Sequence, residues 1–167
     1  MMAGAGISRG EEGAATIEFA LLTLFLFMAV LLTLDFAAYY VQRSQLAAAV
    51  SAGSMSAFAN RTAVPFQTLP TYIQNAARLP TAPQISVACN GTANSCVNTG
   101  RSCACLSKTG GYANATCGSS CPAGSTPNST AGYYLQITAS SQYRAMVLPK
   151  GMLNGTAIVQ SVTVRLE

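Results

Sequence analysis

The chain has 167 residues, of which half are hydrophobic and only 8% are charged, and its formal net charge is +4. A soluble domain carries roughly 25% charged residues, so this composition excludes an ordinary soluble protein. Histidine is absent and no acid lies between Phe36 and Leu166, which excludes most enzymes that need general acid–base catalysis. We therefore predict a protein of about one domain that is not an enzyme, has no catalytic residues and uses no cofactor.

A long apolar run follows the short polar start of the chain. Residues 19–34 contain no charge, and residues 19–40 contain only Asp35. At about 1.5 Å per helical residue this stretch crosses a hydrocarbon core of roughly 30 Å. A cleaved secretory signal is the competing interpretation, but its apolar region is usually about 7–15 residues long and ends at a small-residue site. We predict a transmembrane helix over about 19–40, with Asp35 hydrated at the outer interface beside Tyr39 and Tyr40.

The residues before this span carry a processing pattern. Gly13 is followed five residues later by Glu18 and then by Phe19, and Ala14 is small. This arrangement resembles the type IV prepilin cleavage site in the form found in tight-adherence pili. The resemblance implies that a prepilin peptidase cuts between Gly13 and Ala14. It also implies that Ala14, Glu18 and Phe19 take part in subunit assembly, with Glu18 as the fifth residue of the mature chain.

The chemistry of Glu18 is consistent with that resemblance. A carboxylate at the edge of an apolar helix is costly to desolvate and favours a cationic partner. Cleavage after Gly13 would create such a partner, the new amine of Ala14. By resemblance, the glutamate of one subunit meets the terminal amine of its neighbour.

The helical pattern continues beyond the span into an Ala-rich stretch. Leu46, Val50, Gly53 and Ala57 fall on one helical face. The helix is expected to run from 14 to about 60, a length of roughly 70 Å, with its second half packed on a sheet. A shorter helix is predicted over 66–79, between two prolines.

All six cysteines lie within residues 89–121, in a segment with few apolar residues. Their even number and Gly/Ser/Asn-rich surroundings favour disulfides, for which fifteen connectivities exist and twelve remain if the sterically poor pairing of neighbours 103 and 105 is removed. The spacings lack the paired C-x-x-C of a structural zinc site, so no metal is expected. Disulfides persist in oxidising compartments, which predicts that the carboxy-terminal part lies outside the cytoplasm. The cysteines are Cys89, Cys96, Cys103, Cys105, Cys117 and Cys121.

Three segments of the remaining chain predict strands. They cover 84–88, 133–139 with a continuation through 143–147, and 156–166, where Val162, Val164 and Leu166 share one face. The predicted fold class is α+β: a long pilin-type helix with a transmembrane first half, packed on a small antiparallel sheet, with a disulfide-rich loop insertion. The predicted organisation is a leader over 1–13, the helix over 14–60 and an extracytoplasmic domain over 61–167.

Both ends of the chain resemble TadE/TadF-like minor pilins, whereas the cysteine loop does not. The resemblance implies a minor pilin that primes a tight-adherence pilus or forms its tip or adhesive part. Its partners would be other pilin subunits, prepilin peptidase, the inner-membrane assembly platform and membrane lipid. The subunit would first be a single-pass inner-membrane protein with an outer domain and then a part of the surface pilus. The alternative is a permanently anchored module that binds a surface, a glycan or DNA.

Overall fold

A computed structural model describes residues 11–148 and 153–167, and the first ten residues of the predicted leader lie outside this description. The fold is α+β, as predicted. Two helices, one four-stranded sheet and one two-stranded sheet make up the described chain. The elements are α1 Glu11–Ala59, α2 Leu69–Ala77, β1 Gln84–Cys89, β2 Thr92–Ala93, β3 Cys103–Leu106, β4 Tyr112–Ala115, β5 Tyr134–Gln142 and β6 Ala157–Arg165.

Helix α1 is a single element of 49 residues, about 74 Å long. Its sequence is dominated by Ala, Leu and other good helix formers and contains no proline, so nothing interrupts it. The predicted stripe in its second half is confirmed: Leu46, Val50, Gly53 and Ala57 are all buried. The first half buries almost nothing within the chain. The second half of α1 therefore belongs to the core of the domain, whereas the first half is exposed.

The main sheet is antiparallel, with the strand order β2-β1-β5-β6. Strand β5 lies at its centre, where Ile137 pairs with Val87 on one side and with Val162 on the other. Alternate residues of β5 are buried, as expected for a sheet with one face on the core. The second half of α1 and helix α2 cover that face.

Close packing between the two helices depends on Gly53. A Cβ built on Gly53 would lie 2.6 Å from two side-chain carbons of Ile73, which is fully buried in α2. Any larger residue at position 53 would require the Ile73 side chain to shift. The core of the carboxy-terminal domain is thus assembled around the second half of the long helix.

Two of the predicted elements have wrong boundaries. Helix α2 begins at Leu69 rather than at 66, because Pro70 fits only the first helical turn, and it ends at Ala77 with Arg78 in a left-handed conformation. Strand β5 ends at Gln142, and residues 143–148 form an irregular segment instead of a continuing strand. The backbone of this segment instead contacts the side chain of Asp35 in α1.

The cysteine-rich region is joined by three disulfides, which confirms that these residues are cross-linked. The pairs are Cys89–Cys96, Cys103–Cys117 and Cys105–Cys121. Strands β3 and β4 form the small second sheet, and the last two bridges link β3 to the turn that follows β4. Few apolar residues are buried here, so the bridges supply much of the local order.

Candidate membrane and assembly surface

The first half of α1 is a bare apolar rod. One described helix, Gly13–Ala59, is long and apolar enough to cross a membrane, and its most apolar window is 0% buried within the chain. The hydroxyls of Thr23 and Thr33 donate to the backbone carbonyls of Phe19 and Val30, so neither presents a free donor to lipid. This half of the helix requires an apolar partner outside the chain.

The predicted cleavage and assembly residues all lie at the exposed start of this rod. Ala14 and Glu18 are one helical turn apart and share a face, and Phe19 is 72% exposed beside them. A Cβ added to Gly13 would contact no atom within 4 Å. The bond between Gly13 and Ala14 lies in the first turn of α1, where backbone N–H groups lack helical partners and local opening is easy.

Glu18 lies at the start of the apolar rod without a charged partner among the residues that the structure describes. Among the described residues, its carboxylate has no hydrogen-bond or ion-pair partner. A group of this kind at the margin of an apolar surface favours a cation supplied by another molecule. Within the residues described, the structure thus leaves the Glu18 carboxylate available for an intermolecular contact.

Asp35, a further acid of α1, behaves in the opposite way. It is fully buried, and its carboxylate accepts hydrogen bonds from three consecutive backbone amides: Met146 to Oδ1 at 2.8 Å, Val147 to Oδ2 at 2.9 Å and Leu148 to Oδ2 at 2.9 Å. We term residues 143–148 the cradle loop. The prediction that Asp35 is a hydrated interfacial acid is therefore wrong. Three backbone amides of the loop, and not water, donate hydrogen bonds to its carboxylate.

Tyr143 strengthens the same attachment. Its hydroxyl donates to the backbone carbonyl of Asp35 at 2.8 Å, and its ring meets Tyr39 edge-on at a centroid distance of 5.4 Å. Burial, with the nearby charge of Asp35 and a hydrogen bond to it, raises the pKa of the Tyr143 phenol above its ordinary value of 10.0. The cradle loop thus contacts α1 through both its backbone amides and the side chain of Tyr143.

We expect Tyr143→Phe to lower the free energy of unfolding by about 1–2 kcal/mol near pH 8, since a buried carbonyl loses its donor. The raised folded-state pKa means that Tyr143 favours folding below pH 10, and that this contribution is lost as pH rises toward the folded pKa. The stability difference between wild type and Tyr143→Phe should therefore shrink above pH 10. Thermal unfolding of the detergent-solubilised protein across pH 8–11 measures it.

The control for this pH series is Tyr72→Phe, because Tyr72 is 49% exposed on α2. The stability of Tyr72→Phe should match that of wild type throughout the pH range. A Tyr143→Phe difference that stays constant or grows with pH would contradict the assignment.

The cysteine-rich region is anchored near the far end of α1. The Asn98 side chain exchanges two hydrogen bonds with the backbone of Val64, at 2.9 and 3.0 Å. Tyr133 accepts from the Val97 amide at 2.9 Å, and the Arg101 guanidinium lies 5.1 Å from the Tyr133 ring centroid. These contacts hold the disulfide-linked segment to the domain core, roughly 40 Å along the helix from Asp35.

Within the described residues, no group of three or more His, Cys, Asp or Glu side chains is arranged to hold a metal. Arg101, a cation of the cysteine-rich region, donates hydrogen bonds to the backbone carbonyls of Val97 and Arg61. Its guanidinium therefore stabilises the fold of this region.

Residues 13–54 match the family model described as TadE-like protein. The match begins at Gly13, covers the bare half of α1 and ends in its buried stripe, so it leaves the sheet and the cysteine-rich region outside. No curated protein and no solved structure matches the chain. Residues 13–54, most of helix α1, are therefore similar to TadE-like proteins.

Proposed function

From the similarity of residues 13–54 to TadE-like proteins, we propose that this chain is a minor pilin of a tight-adherence pilus. TadE-like pilins form a structural family, which is in keeping with a role in a filament and not in catalysis. The subunit is inserted in the inner membrane with its disulfide-linked domain outside the cytoplasm, and it is then incorporated into the surface filament.

The observation that carries this proposal is the division of α1 into two halves. The lower half is uncharged over residues 19–34 and exposed, whereas the upper half is buried under its own sheet. A helix of this type can leave lipid only for another apolar surface. Packing of several such rods against each other provides that surface in a filament.

Processing prepares the rod for that packing. Prepilin peptidase removes residues 1–13 and frees the amine of Ala14. The positive amine of one subunit then neutralises Glu18 of its neighbour, which sets the axial stagger between adjacent helices. The attraction between the two charges is stronger in this poorly hydrated environment than in water, and either charge left there without the other would be costly.

The size of the outer domain supports a minor rather than a major subunit. By family resemblance, major subunits of these pili are little more than the helix. Here residues 61–167 add a folded domain with three disulfides, which restricts how densely such subunits pack along a shaft. A place at the tip or in the priming complex accommodates this bulk.

The decisive experiment is the intact mass and N-terminal sequence of the protein from its native cells. We expect a chain that begins at Ala14 and whose mass is lower by six hydrogens than that of the reduced form, since all six described cysteines are bridged. A Gly13→Leu variant is the matched control and should keep its leader.

A native protein that retains residues 1–13 and occurs only in membranes would refute the pilin proposal. That result would favour the alternative, a permanently anchored module that binds a surface, a glycan or DNA. Sheared filament fractions and membrane fractions, probed with the same antibody, distinguish the two.

A further inference from the structure

The underside of the outer domain carries exposed apolar side chains beside the membrane rod. In the cradle loop, Met146 is 75% exposed and Val147 is 41% exposed. On α1 at the same level, Phe36 and Tyr40 are 49% and 62% exposed. These four side chains lie next to a helix stretch that already requires lipid.

The amide contacts to Asp35 set the height of the cradle loop. Its backbone lies within 2.8–2.9 Å of a carboxylate that directly follows the uncharged stretch 19–34. Met146 and Val147 are therefore held beside the outer end of the membrane rod, and nowhere near the distal cysteine-rich region.

Helix length shows where the hydrocarbon boundary falls. The uncharged stretch is about 24 Å long, whereas a hydrocarbon core is roughly 30 Å thick. The charge of Glu18 opposes further burial at the inner end. At the outer end Asp35 does not oppose it in the same way, because three amides already solvate its carboxylate. The outer boundary therefore lies at or beyond Asp35.

We propose that the cradle loop is a membrane-contact element, whose Met146 and Val147 side chains enter the outer leaflet beside α1. The partner is the bilayer itself, at the junction of acyl chains and headgroups. Arg144 and Arg43 are exposed nearby and suit contact with lipid phosphates. This inference rests on the membrane-anchored stage of the proposed function.

The absence of tryptophan from the sequence allows a clean test, because each engineered Trp is the only one in the chain. Met146→Trp, Tyr72→Trp and Phe25→Trp replace exposed side chains in the cradle loop, on α2 and within the rod. Each full-length variant is reconstituted in phosphatidylcholine/phosphatidylglycerol vesicles that contain lipids brominated at shallow or deep acyl positions.

Trp at 146 should lose roughly twofold in fluorescence with shallow bromines and emit at shorter wavelength than Trp at 72, as an interfacial indole does. Trp at 25 should be quenched best by deep bromines, and Trp at 72 by neither. Val147→Trp provides a second probe of the same loop if Met146→Trp does not fold.

The outcomes separate this inference from the function on which it rests. If Trp at 25 is quenched while Trp at 146 and at 147 behave like Trp at 72, the cradle loop faces water or a protein partner and the inference is overturned. If Trp at 25 is not quenched either, the membrane anchoring itself fails.

Discussion

Glu18→Ala should leave the protein cleaved and membrane-bound but exclude it from pili. The carboxylate of Glu18 has no partner within its described chain and shares an exposed face with Ala14. Removal of its charge leaves the amine of a neighbouring subunit without compensation in an apolar contact, which costs about 3–5 kcal/mol per interface for a buried pair. The sheared pilus fraction should contain at least about 100-fold less of the variant, because every 1.4 kcal/mol is a factor of ten.

Two conservative variants test whether the loss of the Glu18 charge causes the exclusion from pili. Glu18→Asp keeps the charge on a shorter side chain and should retain part of the incorporation. Glu18→Gln keeps the shape without the charge and should behave like Glu18→Ala. Normal incorporation of Glu18→Gln would refute the role assigned to the carboxylate, even if the protein is a pilin.

Asp35→Ala should detach the cradle loop and destabilise the outer domain by about 3–5 kcal/mol, the range for breaking a buried charged contact. The substitution leaves the backbone amides of Met146, Val147 and Leu148 without their acceptor, two of them in part-buried contacts and that of Leu148 in a buried one. Unpaired buried donors are costly, and their number explains why a large effect is expected. Hydrogen exchange of residues 143–148 should become fast even where the rest of the domain stays protected.

Unfolding in detergent micelles, followed by tyrosine circular dichroism, gives the free-energy change. Asp35→Asn retains one acceptor oxygen and should lose roughly half as much stability, since one of its two polar atoms now repels the amides. Ser51→Ala, at an exposed position of the same helix, is the surface control and should match wild type. Equal stability of Asp35→Ala and wild type would contradict the structural role of the carboxylate.

Local sequence patterns predicted the helix and the sheet well. Periodicity places Leu46, Val50, Gly53 and Ala57 on one face, and all four are buried because the same periodicity governs packing. In β6 the more buried residues alternate with exposed ones, as the period of two in the sequence predicts. The candidate assembly residues also come from a local pattern, and the structure brings Ala14, Glu18 and Phe19 together at the exposed end of α1. Their roles in cleavage and assembly stay predictions.

The cradle at Asp35 could not be predicted, because its partners are backbone amides more than 100 residues away. An amide has no sequence signature, so nothing distinguishes Met146 or Val147 as a ligand for a carboxylate. Disulfide pairing was open for a similar reason. Cys103 and Cys105 share one face of β3 and reach Cys117 and Cys121, but the segment lacks the apolar alternation that would have revealed a strand.

The separation of 111 residues between Asp35 and Met146 has a consequence during biogenesis. In the proposed membrane-anchored subunit, the helix would enter the bilayer before the amides that solvate Asp35 are folded, so the unpaired carboxylate would hold the new helix closer to the water. Completion of the outer domain removes that restraint and lets the rod settle deeper.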